Sequence, residues 1–461
     1  MRTDTTRFRL TSGLCAAALL LGGAAFPVYA QPGMATETGP EMADPPIRVG
    51  RLARANGAVS FQAAGATEWQ PAAVNFPVAA GTGLRTGPDA TMEADLGGSR
   101  IALAGESELA IGALDAGGLQ AELLRGEVFL AAVGLGPSET WSLRTPHGVA
   151  TASADARIAV IAGSDTAPTV VSVMAGQVHL AGQSLDRVVQ AGESAILSGD
   201  TVTRIAIGPA EPDAFTRAEA GRFAAPLPAV MQPDGVGRLP GGADLAGYGS
   251  WRSTPDRGEV WFPAVAADWE PYRMGRWAFI QPWGWTWIDD APWGFAPFHY
   301  GRWLQVGGRW GWLPSFGATG RGAYPAYAPA LVGFVGLGAG VALAEALRSH
   351  TAQWRPLGPG EAYRPWSGAS PRYLGQVNRP VPPAPAFVAP NRGGPAGART
   401  AMPHVERPVA PPAPYVQPHV EAGFAPAASL PHIFAPTIHT APPPQHNSGG
   451  QRTEHRLPER R

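Results

Sequence analysis

The chain has 461 residues, of which 59 are Gly and 49 are Pro, and only 15% are charged. All 35 residues in the Lys and Arg count are Arg, which excludes mechanisms that need a lysine amine, such as Schiff-base chemistry or a phosphate-loop Lys. The net charge of −1 gives no support for nucleic-acid binding, which requires a basic excess.

The N-terminus is typical of a secretory signal peptide over residues 1–30. Three Arg residues precede an apolar segment at 10–26, and a small-x-small cleavage site ends at Ala30, so Gln31 is expected to begin the mature chain. The apolar segment is shorter than the roughly 20 residues of a membrane span. Cleavage removes Cys15, and with it any disulfide, Cys nucleophile or thiolate metal site. We therefore predict a periplasmic or secreted protein without an integral span in its mature chain, with a retained N-terminal anchor as the alternative.

Residues 47–207 are predicted to form an all-β sandwich or β-roll. Apolar and polar residues alternate in 170–174 and again in 177–180, and the turn Ala175-Gly176 joins these two segments like a hairpin. Similar segments recur at intervals of about 8–12 residues, which is typical of a sandwich.

This region resembles a FecR-type domain. The matching segments, in order, are 81–87, 96–99, 124–128, 145–148, 171–178 and 191–193. The best-studied members of that family are periplasmic regulators that relay receptor occupancy through a membrane helix to an extracytoplasmic-function sigma factor. We expect neither a cytoplasmic N-terminal region nor an anchor between two domains here. The resemblance therefore implies only a module for interaction or sensing in the cell envelope.

Residues 208–245 read as a linker. The segment 212–223 is predicted to form one short helix, with Pro212 at its first turn and Gly221 near its end. The segment 224–243 is rich in Pro and Gly and is expected to be loop.

A Trp-rich domain is predicted over residues 246–378. Eleven of the 15 Trp residues lie between Trp251 and Trp312, and the triplet Gly-x-Trp occurs at 249–251, 275–277 and 301–303, with a spacing of 26 residues. A turn and then an aromatic segment follow each triplet, so each repeat predicts one β-hairpin. Three successive hairpins predict a meander of about six strands.

The Trp residues admit two interpretations. Trp285 and Trp287 are two residues apart, so they share one face of a strand, and this aromatic ladder is either a core or an exposed platform that stacks sugar rings or a Pro-rich segment. Trp283, in a turn, and Trp293, between Pro and Gly, are expected to be the more exposed ones. With His299 they form the candidate ligand-binding platform.

This region resembles the Trp-rich domain of unknown function that follows FecR-type domains in exported bacterial proteins. The match is carried by the 13-residue motif at 291–303, and it continues through 354–361 to 370–373. The resemblance implies export, but no known activity and no catalytic residues.

No catalytic residue is predicted. Asp289 and Asp290 are adjacent in sequence, so on a strand they point opposite ways, and their Asp-Asp-Ala-Pro context favours a turn. A glycosidase would need two carboxylates about 5–9.5 Å apart. The apolar segment 330–347 contains several Gly and is expected to be a buried strand or helix, with a membrane helix as the alternative.

The tail, residues 379–461, is predicted to be disordered. It contains 19 Pro from residue 380 onward and six of the ten His of the chain. Pro lacks the N–H that helices and central strands need, so the tail favours polyproline II conformations. Its His residues suggest a metal-binding tail as an alternative, but they lack tight ligand spacing, and neither metal nor cofactor is predicted.

The sequence thus predicts a non-enzymatic exported envelope protein with a FecR-like interaction or sensing module and a Trp-rich domain that binds a protein or a glycan or serves as a scaffold. An envelope protein is the expected partner, a cell-wall or exopolysaccharide glycan is the further candidate ligand, and no nucleic acid is expected. The alternative is an envelope glycan hydrolase that uses an Asp/Glu pair.

Overall fold

A computed structural model describes residues 44–199, 203–224, 233, 235–314, 324–336, 341–365 and 369–379. All of these belong to one compact unit. The predicted signal peptide with Ala30 and Gln31, and the predicted Pro-rich tail beyond residue 379, lie outside the described residues.

The first region is built of short strands, and most of the turns between them contain Gly. Its strands are β1 Gly50–Asn56, β2 Val59–Gln62, β3 Gln70–Pro71, β4 Pro77–Val78, β5 Gly83–Thr86, β6 Thr91–Asp95, β7 Arg100–Leu103, β8 Glu108–Asp115, β9 Gly118–Arg125, β10 Glu127–Ala131, β11 Thr140–Thr145, β12 Gly148–Ala152, β13 Arg157–Ile161, β14 Thr169–Ala175, β15 Gln177–Gly182, β16 Leu185–Gln190, β17 Glu193–Ser198 and β18 Arg204–Pro209.

These strands form two nine-stranded sheets whose inner faces share one core, so the predicted all-β sandwich is confirmed. Sheet 1 has the order β18-β17-β14-β13-β10-β7-β6-β1-β4, and sheet 2 has the order β16-β15-β12-β11-β9-β8-β5-β2-β3. The chain moves repeatedly between the sheets as it advances along both. The pairing of β9 with β11 is parallel, whereas their neighbouring pairs are antiparallel.

The predicted hairpin at Ala175-Gly176 is wrong. Strand β14 pairs with β13 and β17 in sheet 1, whereas β15 pairs with β12 and β16 in sheet 2. Gly176 has φ +69°, and a Cβ there would lie 2.9 Å from Ala156 Cα, so only Gly fits the bend that carries the chain between sheets. Gly126, with φ +80°, makes the same bend between β9 and β10.

The helix α1, Ala214–Ala224, lies where a short helix is predicted and packs on the outer face of sheet 1. Phe223 stacks on Phe129 of β10, with ring centroids 5.6 Å apart. Glu219 binds Arg54 of β1 at 3.0 Å. These apolar and ionic contacts hold the helix against the sheet.

A titrating carboxyl lies under the first turn of α1. Glu127 accepts a hydrogen bond from Thr216 Oγ1 at 2.8 Å. Burial, and then the neighbouring charge of Asp213, raise the pKa of Glu127 to about 7, from an ordinary value of 4.5. The neutral carboxyl is therefore the form that fits beneath the helix.

We expect Glu127→Gln to remove part of the pH dependence of unfolding. The pKa of Glu127 is raised in the fold, so its stabilising contribution is full below about pH 4.5 and is lost as pH rises through about 7. The loss should be on the order of 1–2 kcal/mol, since the group is half-buried and screened by solvent. Urea unfolding between pH 4 and pH 8.5 measures it. Exposed Glu259→Gln is the control, and equal pH profiles for both variants would contradict this assignment.

The Trp-rich region combines short strands with short helices. Its elements are a 3₁₀ turn at Val236–Arg238, α2 Leu245–Tyr248, β19 Gly249–Thr254, β20 Gly258–Pro263, β21 Gly275–Ile280, β22 Gly284–Asp289, α3 Ala296–His299, β23 Arg302–Val306, β24 Arg309–Leu313, β25 Val332–Phe334, α4 Val341–Arg348, β26 Trp354–Pro356 and α5 Pro371–Val377.

The three predicted hairpins form, but they do not make one six-stranded meander. The first and third hairpins share a four-stranded sheet with the order β19-β20-β24-β23, and β21 with β22 forms a separate pair. The third hairpin joins the first through Trp261 and Trp312, which pair across β20 and β24. The first strand of the third hairpin has five residues, against six in the first hairpin.

The Gly-x-Trp triplet has a packing explanation. In each hairpin the Trp of the triplet pairs directly with a Trp on the second strand. The indole of that second Trp lies over the Gly, where a side chain would collide with it. The distances from a Cβ built on each Gly are 2.6 Å from Gly249 to Trp261 Nε1, 2.7 Å from Gly275 to Trp287 Cζ2 and 2.7 Å from Gly301 to Trp312 Nε1.

The sandwich and the Trp-rich region share one contiguous core. Its buried residues run from Val49 in the sandwich to Val332 in the Trp-rich region. Part of the predicted linker is buried in this core. Its residues Val236, Leu239 and Leu245 are at most 1% exposed.

A buried arginine ties the two regions together. The Arg51 side chain is 1% exposed, and its Nη1 donates to Asn75 Oδ1 at 3.0 Å and to the carbonyl of Pro292 at 2.8 Å. Its Nη2 binds Asp244, and Asp95 lies 3.8 Å from its Nε. Arg51 therefore contacts the sandwich, the linker and the Trp-rich region at once.

The described parts of the apolar segment 330–347 belong to the fold. The segment contains β25 and most of α4, which packs through Leu343 and Leu347 against Trp277 and Trp285. Among the described residues, no helix has the length and apolar character needed to span a membrane.

Candidate binding groove of the tryptophan-rich region

The structure buries the residues of the predicted platform. Trp283 is 4% exposed, Trp293 is 5% exposed and His299 is fully buried, so the expectation that the two Trp side chains are exposed is wrong. The three side chains face the interior and do not present a stacking surface.

Each of the three is fixed by core contacts. Trp283 donates to the carbonyl of Pro46, and Trp293 packs edge-on against Trp261 with centroids 5.0 Å apart. His299 Nδ1 lies 2.8 Å from the carbonyl of Ala328. Burial lowers the pKa of His299 to about 4, so the ring is neutral at pH 7.

An open groove of about 380 Å³ lies elsewhere in the region, beside the third hairpin. It combines side chains from that hairpin with two segments distant in sequence. The lining residues are Glu270, Arg273, Trp303, Leu304, Gln305, Trp310, Arg355, Pro356, Gly358, Pro359 and Glu361.

The apolar part of the groove is built on β23 and β24. Trp310 is half-buried and pairs across the hairpin with exposed Gln305, so one indole and one amide lie side by side at the surface. Buried Trp303 is two residues from Gln305 and shares its face of β23, and Pro356 and Pro359 also line the groove. The groove thus combines apolar surface with a polar amide.

Ion pairs form the rims of the groove. Arg273 Nε lies 3.0 Å from Glu270 on one side. On the other side, Arg355 holds both oxygens of Glu361, at 2.6 and 2.7 Å, and the Gly358 N–H donates to the same carboxylate at 2.7 Å. These hydrogen bonds lower the pKa of Glu361 to about 2, so this carboxylate is ionised at every physiological pH.

The wall that carries Glu361 is held by backbone contacts to β23. Trp303 N–H donates to the carbonyl of Leu357 at 3.2 Å, and Arg302 Nε donates to the carbonyl of Glu361 at 3.1 Å. Arg302 is 6% exposed and also binds Asn378 Oδ1 at 3.1 Å, after the end of α5. The groove is therefore preformed.

Glu361 in the groove lacks the raised pKa that a glycosidase acid needs, because its hydrogen bonds keep it ionised. Asp289, whose pKa burial raises to about 8, is 3% exposed and accepts hydrogen bonds from Trp287 Nε1 and the Ala291 N–H. The bond from Ala291 confirms the predicted turn at Asp289.

No metal site is formed within the part of the chain that the structure describes, where no three His, Cys, Asp or Glu side chains cluster suitably. The His residues of the predicted tail lie outside this part.

The fold is all-β, and its Trp-rich region carries the groove at Trp310. Residues 242–361, which include the groove and all three hairpins, match the model of a family of unknown function (DUF6600). No curated protein matches the chain.

Two solved structures of a candidate anti-sigma factor from Parabacteroides distasonis are similar to parts of the chain. Sequence identities are 17% and 16%, with TM-scores of 0.25 and 0.20. The matches cover 28% and 33% of this chain, and 59% and 60% of those chains, which is less than two thirds of their length.

Proposed function

We propose that this chain is a non-enzymatic exported protein of the cell envelope whose groove binds a glycan chain. The observation that carries this proposal is half-buried Trp310, lying open between two rims of charged, hydrogen-bonding side chains. Export rests on the signal-peptide pattern that ends at Ala30.

The chemistry of the groove suits a sugar better than an apolar ligand. The C–H face of a pyranose ring stacks on an indole, and its hydroxyls need donors and acceptors around the rim. Gln305, Arg273 and Glu361 supply both kinds of group at the edges of the Trp310 surface. A groove open along its length accommodates several rings of a chain.

The state of the carboxyls supports binding without hydrolysis. The ionised Glu361 lacks the proton that a leaving group needs. The described carboxyls whose pKa is raised all lie outside the groove, and they are Glu127, Asp244 and Asp289. The alternative, an envelope glycan hydrolase, predicts that purified peptidoglycan releases soluble fragments in the presence of the protein.

The sandwich is proposed to contact a second envelope protein. The support is the resemblance of residues 47–207 to FecR-type domains, which implies an interaction or sensing module. The groove and the sandwich would then link a glycan to a protein partner.

We expect Trp310→Ala to weaken glycan binding at least tenfold, because it removes the stacking surface and a tenfold loss corresponds to about 1.4 kcal/mol. Co-sedimentation with purified peptidoglycan, and separately with exopolysaccharide, measures the affinity. Trp285→Ala is the matched control, since Trp285 is equally half-buried but lies outside the groove. Binding that is absent in the unmodified protein, or equal in both variants, would refute the proposal.

A further inference from the structure

The two ends of the sandwich protect their edge strands differently. At one end the edges are β4 and β3, which have two residues each and include Pro77 and Pro71. Short strands and Pro at an edge prevent pairing with another chain. At the other end the edges are β18 and β16, each six residues long, and the Pro of β18, Pro209, is its last residue.

Of these two long edges, β16 carries a protective charge and β18 does not. Arg187 of β16 pairs with Leu180, whose side chain is in the core, so the guanidinium is on the core-facing side of an edge strand. A charge in that position opposes the addition of a further strand. Strand β18 has no charged residue between Arg204 and Pro209.

The core-facing side of β18 is apolar and incompletely covered. Ile207 pairs with Ala195 and Ile205 pairs with Leu197, and both partners are core residues. Ile207 is nevertheless 47% exposed, because the sheet ends there. One more strand beside β18 would cover it.

The outer face of sheet 1 shows the same apolar character up to this edge. Four aliphatic residues form one cross-strand row over β13, β14, β17 and β18 in direct register. They are Ile161, Val170, Ile196 and Ala206, and the two Ile side chains are 43% and 46% exposed. The row ends abruptly at the unpaired edge.

We propose that β18 pairs antiparallel with β18 of a second copy of this chain, with Ala206 opposite Ala206. The strand is symmetric about this residue, since an Ile lies on each side of Ala206. Pairing in this register places Ile205 opposite Ile207 of the second copy, which covers the open end of both cores. It places Arg204 opposite Gly208, so no two Arg side chains meet.

Other registers fit less well. A shift by one residue places Ala206, which faces outward, opposite an Ile of the second copy that faces the core. Because directly opposite side chains lie on the same face of a sheet, the core-facing sides of the two copies would then be on opposite faces. Centring on Ile207 sets Pro209, which lacks an N–H, opposite Ile205. With Ala206 at the centre, the two sheets continue into each other and the aliphatic row doubles in length.

Disulfide cross-linking between single introduced cysteines tests this register. The full chain is used, with its own cysteine removed by Cys15→Ser. Directly opposite residues of an antiparallel pair have Cα atoms about 4.5–5.5 Å apart, within reach of a disulfide. Ala206→Cys should therefore give an oxidised, covalent dimer. Arg204→Cys is the control, because the two introduced thiols would be four residues out of register, roughly 13 Å apart, and should give none.

Ile207→Lys tests the interface without relying on a covalent bond. Two ammonium groups near the joined core should weaken dimerisation at least tenfold in sedimentation equilibrium, whereas Leu124→Lys, on an equally exposed Leu of sheet 2, should not. Circular dichroism checks that both variants fold. A monomeric unmodified chain at all concentrations, equal cross-linking of the Ala206→Cys and Arg204→Cys variants, or a dimer that Ile207→Lys leaves intact would each overturn the proposal.

Discussion

Arg51→Met is expected to lower the free energy of unfolding by about 3–5 kcal/mol, the range found when one partner of a buried ion pair is removed. Arg51 is 1% exposed and faces Asp244 and Asp95. Without it, Asp244 loses its ion-pair partner, and buried Asp95 keeps only Arg100, 3.4 Å away, as a counter-charge. The backbone carbonyl of Pro292 also loses its donor.

The same substitution should show a distinctive pH dependence. Burial raises the pKa of Asp244, and the charge of Arg51 opposes this rise. Removing Arg51 should raise that pKa further, so the loss of stability should be smaller at pH 4 than at pH 7, because lower pH favours the uncharged carboxyl. Chemical denaturation at the two pH values measures both quantities.

Arg276→Met is the control for Arg51. Its side chain is 50% exposed and its Nη1 lies 3.8 Å from Asp290, so its loss should cost less than about 1 kcal/mol. Equal destabilisation by both variants would show that Arg51 does not hold the two regions together.

Trp287→Ala is expected to destabilise the fold by about 3–5 kcal/mol, as truncation of a buried aromatic does. Trp287 is 1% exposed and contacts the rings of Tyr272, Trp277 and Trp354 at centroid distances of 5.8, 5.6 and 5.9 Å. Its Nε1 also donates to buried Asp289 at 3.1 Å. The substitution therefore leaves both a cavity and a carboxyl with one hydrogen bond fewer.

Urea unfolding and near-ultraviolet circular dichroism measure this effect. Trp285→Ala is the matched control, because Trp285 lies two residues away on the same strand but is only half-buried. It should cost clearly less. If the two variants lost the same stability, Trp287 would not be the centre of the aromatic cluster.

Local features of the fold could be predicted from the sequence. The hairpins can be predicted from Gly-x-Trp because the Gly, the Trp of the triplet and the Trp paired with it all belong to one strand-turn-strand unit. The alternation in β14 and β15 likewise identifies both strands correctly.

Pairing between distant strands could not be predicted in the same way. Alternation states which face of a strand is buried, but it does not state which sheet the strand joins, so the bend at Gly176 was indistinguishable from a hairpin turn. For the same reason the separation of β21–β22 from the other two hairpins has no signal within the repeat.

The burial of the predicted platform could not be predicted from the sequence either. Trp283 and His299 belong to segments with turn-like sequences, and they are covered by residues 324–332, where Tyr327 packs on both rings. The groove joins Trp310 to a wall that includes Arg355 and Glu361, about 50 residues further along. The resemblance at 354–361 was the available indication that this wall matters.

The burial of Val236, Leu239 and Leu245 between the sandwich and the Trp-rich region has a mechanical consequence. A flexible linker would let the sandwich and the Trp-rich region rotate independently. A force applied to one region would then not be transmitted to the other. Here Val236, Leu239 and Leu245 of the connection belong to the shared core, so a force applied to the Trp-rich region would be transmitted to the sandwich.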